Sequence, residues 1–304
     1  MNKRLVLIAV VFLVVSAVAA YLVKAFWLTD YLAVVRSGDK WGYINKSGKY
    51  VIGPQRDKAF DFNEGMAIAR AGEKWGYIDK SGKYVIKPQF DYTGVFTDGL
   101  AGVLVNGKWH YIDKSGNYVL TVTPQVDMTF GFTEGMGLVE VSKKWGYIDK
   151  SGKYVIEPQF DDAFPFSEGV AAVKVGGEWG YIDKSGKYVI KSQFDKADIF
   201  NDGLAAVRSG ERWGYIDKSG KYGIDPRFDM ASFFKHGLAP VLVGEKWGYI
   251  DKSGKYVIEP QFDGVSSFSD GLAAVEVDHK WGYIDKSGKY IIKPQFDEAS
   301  FFGN

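Results

Sequence analysis

His110, His236 and His279, the only histidines of this 304-residue chain, are the side chains best suited to metal ligation or proton transfer near neutral pH. Their spacing fits neither role. They are scattered along the chain with none of the close pairings through which a zinc site gathers its donors. The chain has no cysteine, which excludes disulfides, zinc-thiolate sites, thiol catalysis and lipid attachment through an N-terminal cysteine. A recurrent Asp-Lys-Ser-Gly, as at Asp183 to Gly186, has the outline of a calcium loop, but lysine sits second and no distal glutamate follows, so it reads as a turn. Carboxylates before glycine, as in Asp98-Gly99 and Glu168-Gly169, also recur, whereas acid–base catalysis needs one asymmetric pair held in unlike environments. No phosphate loop, nucleophile elbow or zinc helix is present. We therefore expect a non-enzymatic protein with no catalytic residues, no cofactor and no metal site.

These side chains recur because the elements that carry them recur. Lys-Trp-Gly-Tyr-Ile-Asp-Lys-Ser-Gly-Lys-Tyr-Val-Ile and its close variants appear eight times, with tryptophan at Trp41, Trp75, Trp109, Trp145, Trp179, Trp213, Trp247 and Trp281. The step is 34 residues except for 36 between Trp109 and Trp145. A fixed period of this size marks a repeat architecture, each unit a supersecondary element that buries its apolar faces against its neighbours.

In the fifth copy, Gly169 to Val173 reads as a strand, Gly176 to Glu178 as a turn, Trp179 to Ile182 as a second strand, and Lys187 to Ile190 as a third. Asp183 accepts a backbone hydrogen bond at the head of the second turn, and Gly186 supplies its positive φ. Most copies then carry Pro-Gln-Phe-Asp, in which the proline confines the strand to an edge or ends it. A segment with a second phenylalanine follows, leaving room for a short fourth strand. Alternation puts Trp179 and Tyr181 on one face of the middle strand and Gly180 and Ile182 on the other. Both faces are apolar, so the sheet is expected between two neighbouring sheets. The eight indoles are expected in the core, and Gly180, like Gly42, Gly76, Gly146, Gly214, Gly248 and Gly282, is expected to leave room for the next unit's tryptophan.

The tryptophan-glycine pair within this motif resembles the WG-repeat family over residues 28 to 302, and residues 28–304 are read as one eight-copy repeat domain. That resemblance implies a bacterial repeat module with no general catalytic activity, in which the tryptophan, glycine and tyrosine are structural. It transfers no binding residues.

The array holds an integral number of units and neither end has the polar cap an open solenoid requires. We expect an all-β chain of eight antiparallel meanders forming a propeller-like ring or near-ring, with an open superhelical solenoid as the alternative. The junction falls between units, so no strand exchange is expected at closure.

Residues 1–27 differ in kind. Lys3 and Arg4 precede the uncharged stretch Leu5 to Val23, long enough to span a bilayer as a helix, and Lys24 closes it. It reads as a signal anchor or, through Ala17-Val18-Ala19, as a signal peptide cleaved near Ala19. Either exports the repeats, anchored at the inner membrane or released to the periplasm or beyond. Lysine plus arginine, 38, nearly equals aspartate plus glutamate, 37, with no block of one sign, so no nucleic-acid partner is expected.

Individual function would lie in departures from the repeat. His110 replaces the glycine in the third copy, which also carries the insertion Thr121-Val122-Thr123. His110, Thr121 and Thr123 are the candidate partner site. The sequence supports a scaffold that binds a protein partner, or alternatively a carbohydrate- or wall-binding module using exposed aromatics.

Overall fold

The computed structural model describes residues 31–56, 58–122 and 126–303. The N-terminal anchor or signal segment and Thr123 lie outside the described residues. Eight small antiparallel sheets follow one another in a closed ring, an eight-bladed β-propeller in which blade n carries the nth tryptophan.

Blade 5 shows how 34 residues suffice for four strands. Asp162–Ala163, Val170–Val175, Glu178–Asp183 and Tyr188–Phe194 pair in chain order, and the first strand is reduced to two residues. In blade 2 it shrinks further, to the single bridge Ala59↔Ala69, and in blade 4 it lengthens to Met128–Thr133. These first strands face the ring axis: Asp61, Val95, Lys235 and Phe301, from four different blades, line one axial cavity. The last strand, which carries a proline in six of the eight blades, forms the outer edge, where a missing donor leaves no ladder bond unmade.

The turns are set by backbone sterics. Glu168 and Gly169, with φ of 52° and 84°, make the two-residue turn that brings Ser167 opposite Val170, and two consecutive positive φ values match the twist of a tight hairpin. Gly176 and Gly177 do the same between the second and third strands.

Between blades the fully buried aromatic is tyrosine. All eight tyrosines of the Trp-x-Tyr motif, Tyr43 through Tyr283, are 0–1% exposed. Of the repeat tryptophans only Trp109 and Trp179 are buried, and the other six are half-buried. This corrects the expectation of eight core indoles: tyrosine packs in the middle of the interface against the next blade's phenylalanine, as Tyr181 does on Phe200 at 4.8 Å, while the indole two residues earlier lies nearer the end of the sheet. Each tyrosine hydroxyl also donates to a carbonyl in or just after the next blade's first strand, Tyr181 to Asp198 at 2.9 Å.

The motif glycine has a different reason from the one its spacing suggested. A Cβ on Gly180 would meet no neighbouring tryptophan; it would lie 2.7 Å from the carbonyl oxygen of Ile190 and 2.6 Å from the nitrogen of Ser192. The outer strand bulges over the glycine, pairing Trp179 with Phe194 and Tyr181 with Ile190, and its backbone occupies the space of the missing side chain.

Closure also departs from expectation, because a strand is exchanged. Blade 1 takes Leu32–Ser37, Lys40–Ile44 and Tyr50–Arg56 from the start of the described chain and its axial strand, Glu298–Gly303, from the end. The repeat as written begins inside a blade, so joining the two ends of the array completes that blade.

Candidate functional site

The residues that suggested chemistry are largely occupied in structure. Asp183 Oδ1 accepts from the Ser185 amide at 2.9 Å, the Ser185 hydroxyl at 2.6 Å and the Lys187 amide at 3.1 Å, bonds that hold its carboxyl below the usual range. The same arrangement recurs at Asp79, Asp149, Asp217, Asp251 and Asp285. Lys184 of this turn reaches back to blade 4, donating to the Glu134 carbonyl at 2.9 Å and pairing with its carboxylate at 3.1 Å. That carboxylate also accepts from the Gly169 amide at 3.1 Å. The carboxylate before glycine is thus a clamp between blades, repeated at Glu64 and Glu168. On the opposite face Asp161 joins Lys144 of blade 4, at 2.5 Å, to the Gly176 amide of blade 5, at 2.9 Å.

His236 and His279 each occupy a positive-φ position of a two-residue turn. His236 stands where other blades carry the clamping carboxylate, and Lys286 finds only its carbonyl, at 2.8 Å. Among the described residues no group of three His, Cys, Asp or Glu side chains is placed to hold a metal ion.

The structure brings His110 and Thr121 together on the two outer strands of blade 3, Nδ1 to Oγ1 at 3.0 Å, with Tyr118 edge-on to the imidazole at 5.0 Å. Burial, with Lys108 second, pulls His110 below the ordinary imidazole value. The histidine and the altered outer strand form one structural event. A side chain at this position cannot lie under the bulge, and the strand Tyr118–Thr121 instead pairs Leu120 with Tyr111 and Thr121 with His110 in simple succession.

A second concentration of unlike residues lies on the axis, and the sequence reading missed it. After the aspartate that ends each outer strand, the copies read Lys58-Ala59-Phe60-Asp61, Tyr92-Thr93-Gly94-Val95, Met128-Thr129-Phe130-Gly131, Asp162-Ala163-Phe164-Pro165, Lys196-Ala197-Asp198-Ile199, Met230-Ala231-Ser232-Phe233, Gly264-Val265-Ser266-Ser267 and Glu298-Ala299-Ser300-Phe301. No other part of the unit varies so much from copy to copy. Alignment of the copies on one another carries that signal; attention to the constant tryptophan motif hides it.

The axial surface is uneven as a result. Phe60, Tyr92, Val95, Met128 and Phe130, all from blades 2 to 4, are exposed large apolar residues, and they line a cavity of about 270 Å³ with Trp75 in its wall. Beside it a second cavity, of about 390 Å³, is lined by Asp61, Lys235, Ser269, Phe301 and Tyr31. Asp61 Oδ2 accepts from the Ser300 hydroxyl at 2.7 Å, while its buried Oδ1 has no partner. Burial pushes the Asp61 carboxyl up to about 6, against opposing contributions from Ser300 and the charge of Lys235. Lys235 Nζ lies 5.0 Å from the Phe301 ring centroid and 3.4 Å from Ser269 Oγ, and burial lowers its pKa. This arrangement offers a surface for recognition: an aromatic arc, a carboxylate oxygen in need of a donor, and an ammonium with unused donors.

Solved structures share the ring architecture. A structure titled as the eukaryotic initiation factor is 13% identical, with a TM-score of 0.57 over 88% of this chain and 85% of that one. Hsv2 of Kluyveromyces lactis is 10% identical, with a TM-score of 0.53 over 79% of this chain and 97% of that one. At such identities the likeness is one of fold. No curated protein matches in sequence. The model of the WG containing repeat matches eight consecutive segments, 41–75, 75–109, 111–145, 145–179, 179–213, 213–247, 247–281 and 281–304, and the chain belongs to that family.

Proposed function

We propose that this chain is a non-enzymatic scaffold, exported to the outer face of a bacterial cytoplasmic membrane, that binds a protein partner through the axial surface of its propeller. One observation carries the reading. The constant residues of the repeat are consumed in the fold, as clamps, turns and interblade hydrogen bonds, whereas the most variable segment of the unit lines one concave surface. Variation concentrated on the walls of a rigid ring gives a single chain an individual recognition site. The basic residues and apolar stretch at the N-terminus support export and membrane attachment.

A photo-reactive amino acid at Tyr92, 56% exposed on the axis, and another at Tyr118, 54% exposed on the outer edge of blade 3, test this in the expressing cell. The reading expects a discrete polypeptide adduct from position 92 in the membrane fraction, with position 118 as the reference. An adduct from 118 alone would move the interface to the His110 edge. A cell-envelope glycan attached at 92 would favour the carbohydrate alternative, which the half-buried Trp75 in the axial wall supports.

A further inference from the structure

Phe60 and Val95 line both axial cavities, so the apolar pocket of blades 2 to 4 and the Asp61–Lys235 cavity adjoin. The first cavity is apolar by construction. Gly94 stands where blade 5 carries Phe164, and its missing side chain opens space, whereas the places of a side chain on Gly102 and Gly131 are taken by Thr129 and Thr97. The two threonines within it are turned to internal partners: Thr93 is hydrogen-bonded to Tyr77 and Thr129 to Tyr111. Little polar capacity is left for a ligand there.

The second cavity has one charged group of each sign set in a largely aromatic wall. Asp61 is the only acid at its place in the eight first strands and Lys235 the only base at its place in the eight axial turns. They come from blades 2 and 7, both facing one cavity, and Asp61 Oδ1 remains without a partner. A ligand that satisfies both must donate to the carboxylate and accept from the ammonium, while adding no net charge to a partly desolvated site. A peptide group does so with its N–H and C=O.

We infer that the two cavities form one composite site for a segment of a partner polypeptide, with a large apolar side chain in the Phe60–Met128–Phe130 pocket and a flanking peptide group between Asp61 and Lys235. This rests on the protein-partner reading above and specifies its ligand.

The full chain in lipid nanodiscs is titrated with N-acetyl-L-phenylalaninamide and with N-acetylglycinamide, followed by ligand-observed NMR. Variant chains in the same lipid correct for partitioning of the probe. The expected result is a Kd about tenfold lower for the phenylalanine probe, as apolar burial of one ring predicts. Asp61→Val and Lys235→Met should each weaken both probes several-fold. Gly94→Val adds a Cβ with only the Gly102 carbonyl near, at 3.7 Å, so the blade accommodates it. This variant should abolish the preference for phenylalanine and leave the glycine probe unchanged. Equal affinity for the two probes in the native chain, or affinities that none of the three variants alters, would overturn the inference. If the probes fail while position 92 still cross-links a polypeptide, the composite site falls and the scaffold reading stands; if both fail, both fall.

Discussion

The hydroxyl of Tyr283 donates to the carbonyl of Ser300 at 2.8 Å, and Ser300 belongs to the sheet of blade 1. The bond is the eighth of a set in which every blade's tyrosine reaches the axial segment of the next, in or just after its first strand, Tyr43 to Phe60 and Tyr181 to Asp198 among them. At this junction it fastens the exchanged strand. Tyr283→Phe leaves a carbonyl in the closing interface with one fewer donor, at a cost of about 1–2 kcal/mol. Tyr181→Phe loses an equivalent bond inside a continuous array. We expect similar equilibrium losses, a few degrees in Tm each, but faster amide exchange in Leu32–Ser37 only for Tyr283→Phe. Indistinguishable exchange patterns would show that the junction opens no more readily than the other seven interfaces.

Deleting residues 298–304 removes the axial strand of blade 1 and with it Phe302, which packs against Tyr283 at 5.0 Å. The bared edge of Leu32–Ser37 is a row of unpaired backbone groups. Such a chain should lose its sharp unfolding transition or associate through that edge, as sedimentation and a melting curve would reveal. A monomer that melts like the full-length protein would mean that the exchanged strand does not hold the ring.

How far the fold was legible depends on which residues are read. Trp179, Tyr181 and the turn at Asp183 to Gly186 announce a β-meander and its hairpin, because alternation and turn chemistry are local. The bulge over Gly180 was not legible: its cause is a backbone approach from Ile190 to Ser192, and pairing registers are not written in the glycine itself. Nor was the exchange at Glu298–Gly303, since a period defines a unit without saying where a blade is cut. The axial site was legible in principle, for Asp61 and Lys235 are singular among their copies. It was passed over because a long constant motif draws attention to what the copies share.

Gly180→Ala tests the bulge. The new methyl would lie 2.6–2.9 Å from backbone atoms of Ile190, Lys191 and Ser192, so the outer strand must move. Overpacking of this kind costs about 1–3 kcal/mol. Gly53→Ala, with no atom within 4 Å of its Cβ and no positive φ, is the control and should be neutral or slightly stabilising. Chemical denaturation of the two variants separates them. Equal midpoints would remove the steric account of the Trp-Gly pair.

Asp61 makes the stability of the ring depend on pH in a way its neighbours do not. Its carboxyl sits at about 6 in the folded protein against 3.8 for the unperturbed group, so between these values the native state binds more protons than the unfolded chain. Stability from this residue is therefore complete below about pH 4 and is lost as pH rises through about 6. The turn aspartates, such as Asp183, have lowered values and act with the opposite sign, at lower pH. Charged or titratable groups within reach of Asp61 are Lys235, Tyr43 and Tyr283, both tyrosines displaced upward mainly by burial. Asp61→Asn keeps an acceptor for Ser300 and removes the buried charge. It should stabilise the protein by about 3 kcal/mol at pH 8, the scale of a shift of about two units, and by little at pH 4. A melting-temperature difference between Asp61→Asn and the native chain that is the same at pH 4 and pH 8 would show that the carboxyl titrates at its ordinary value, and that the axial cavity is wetter than its burial implies.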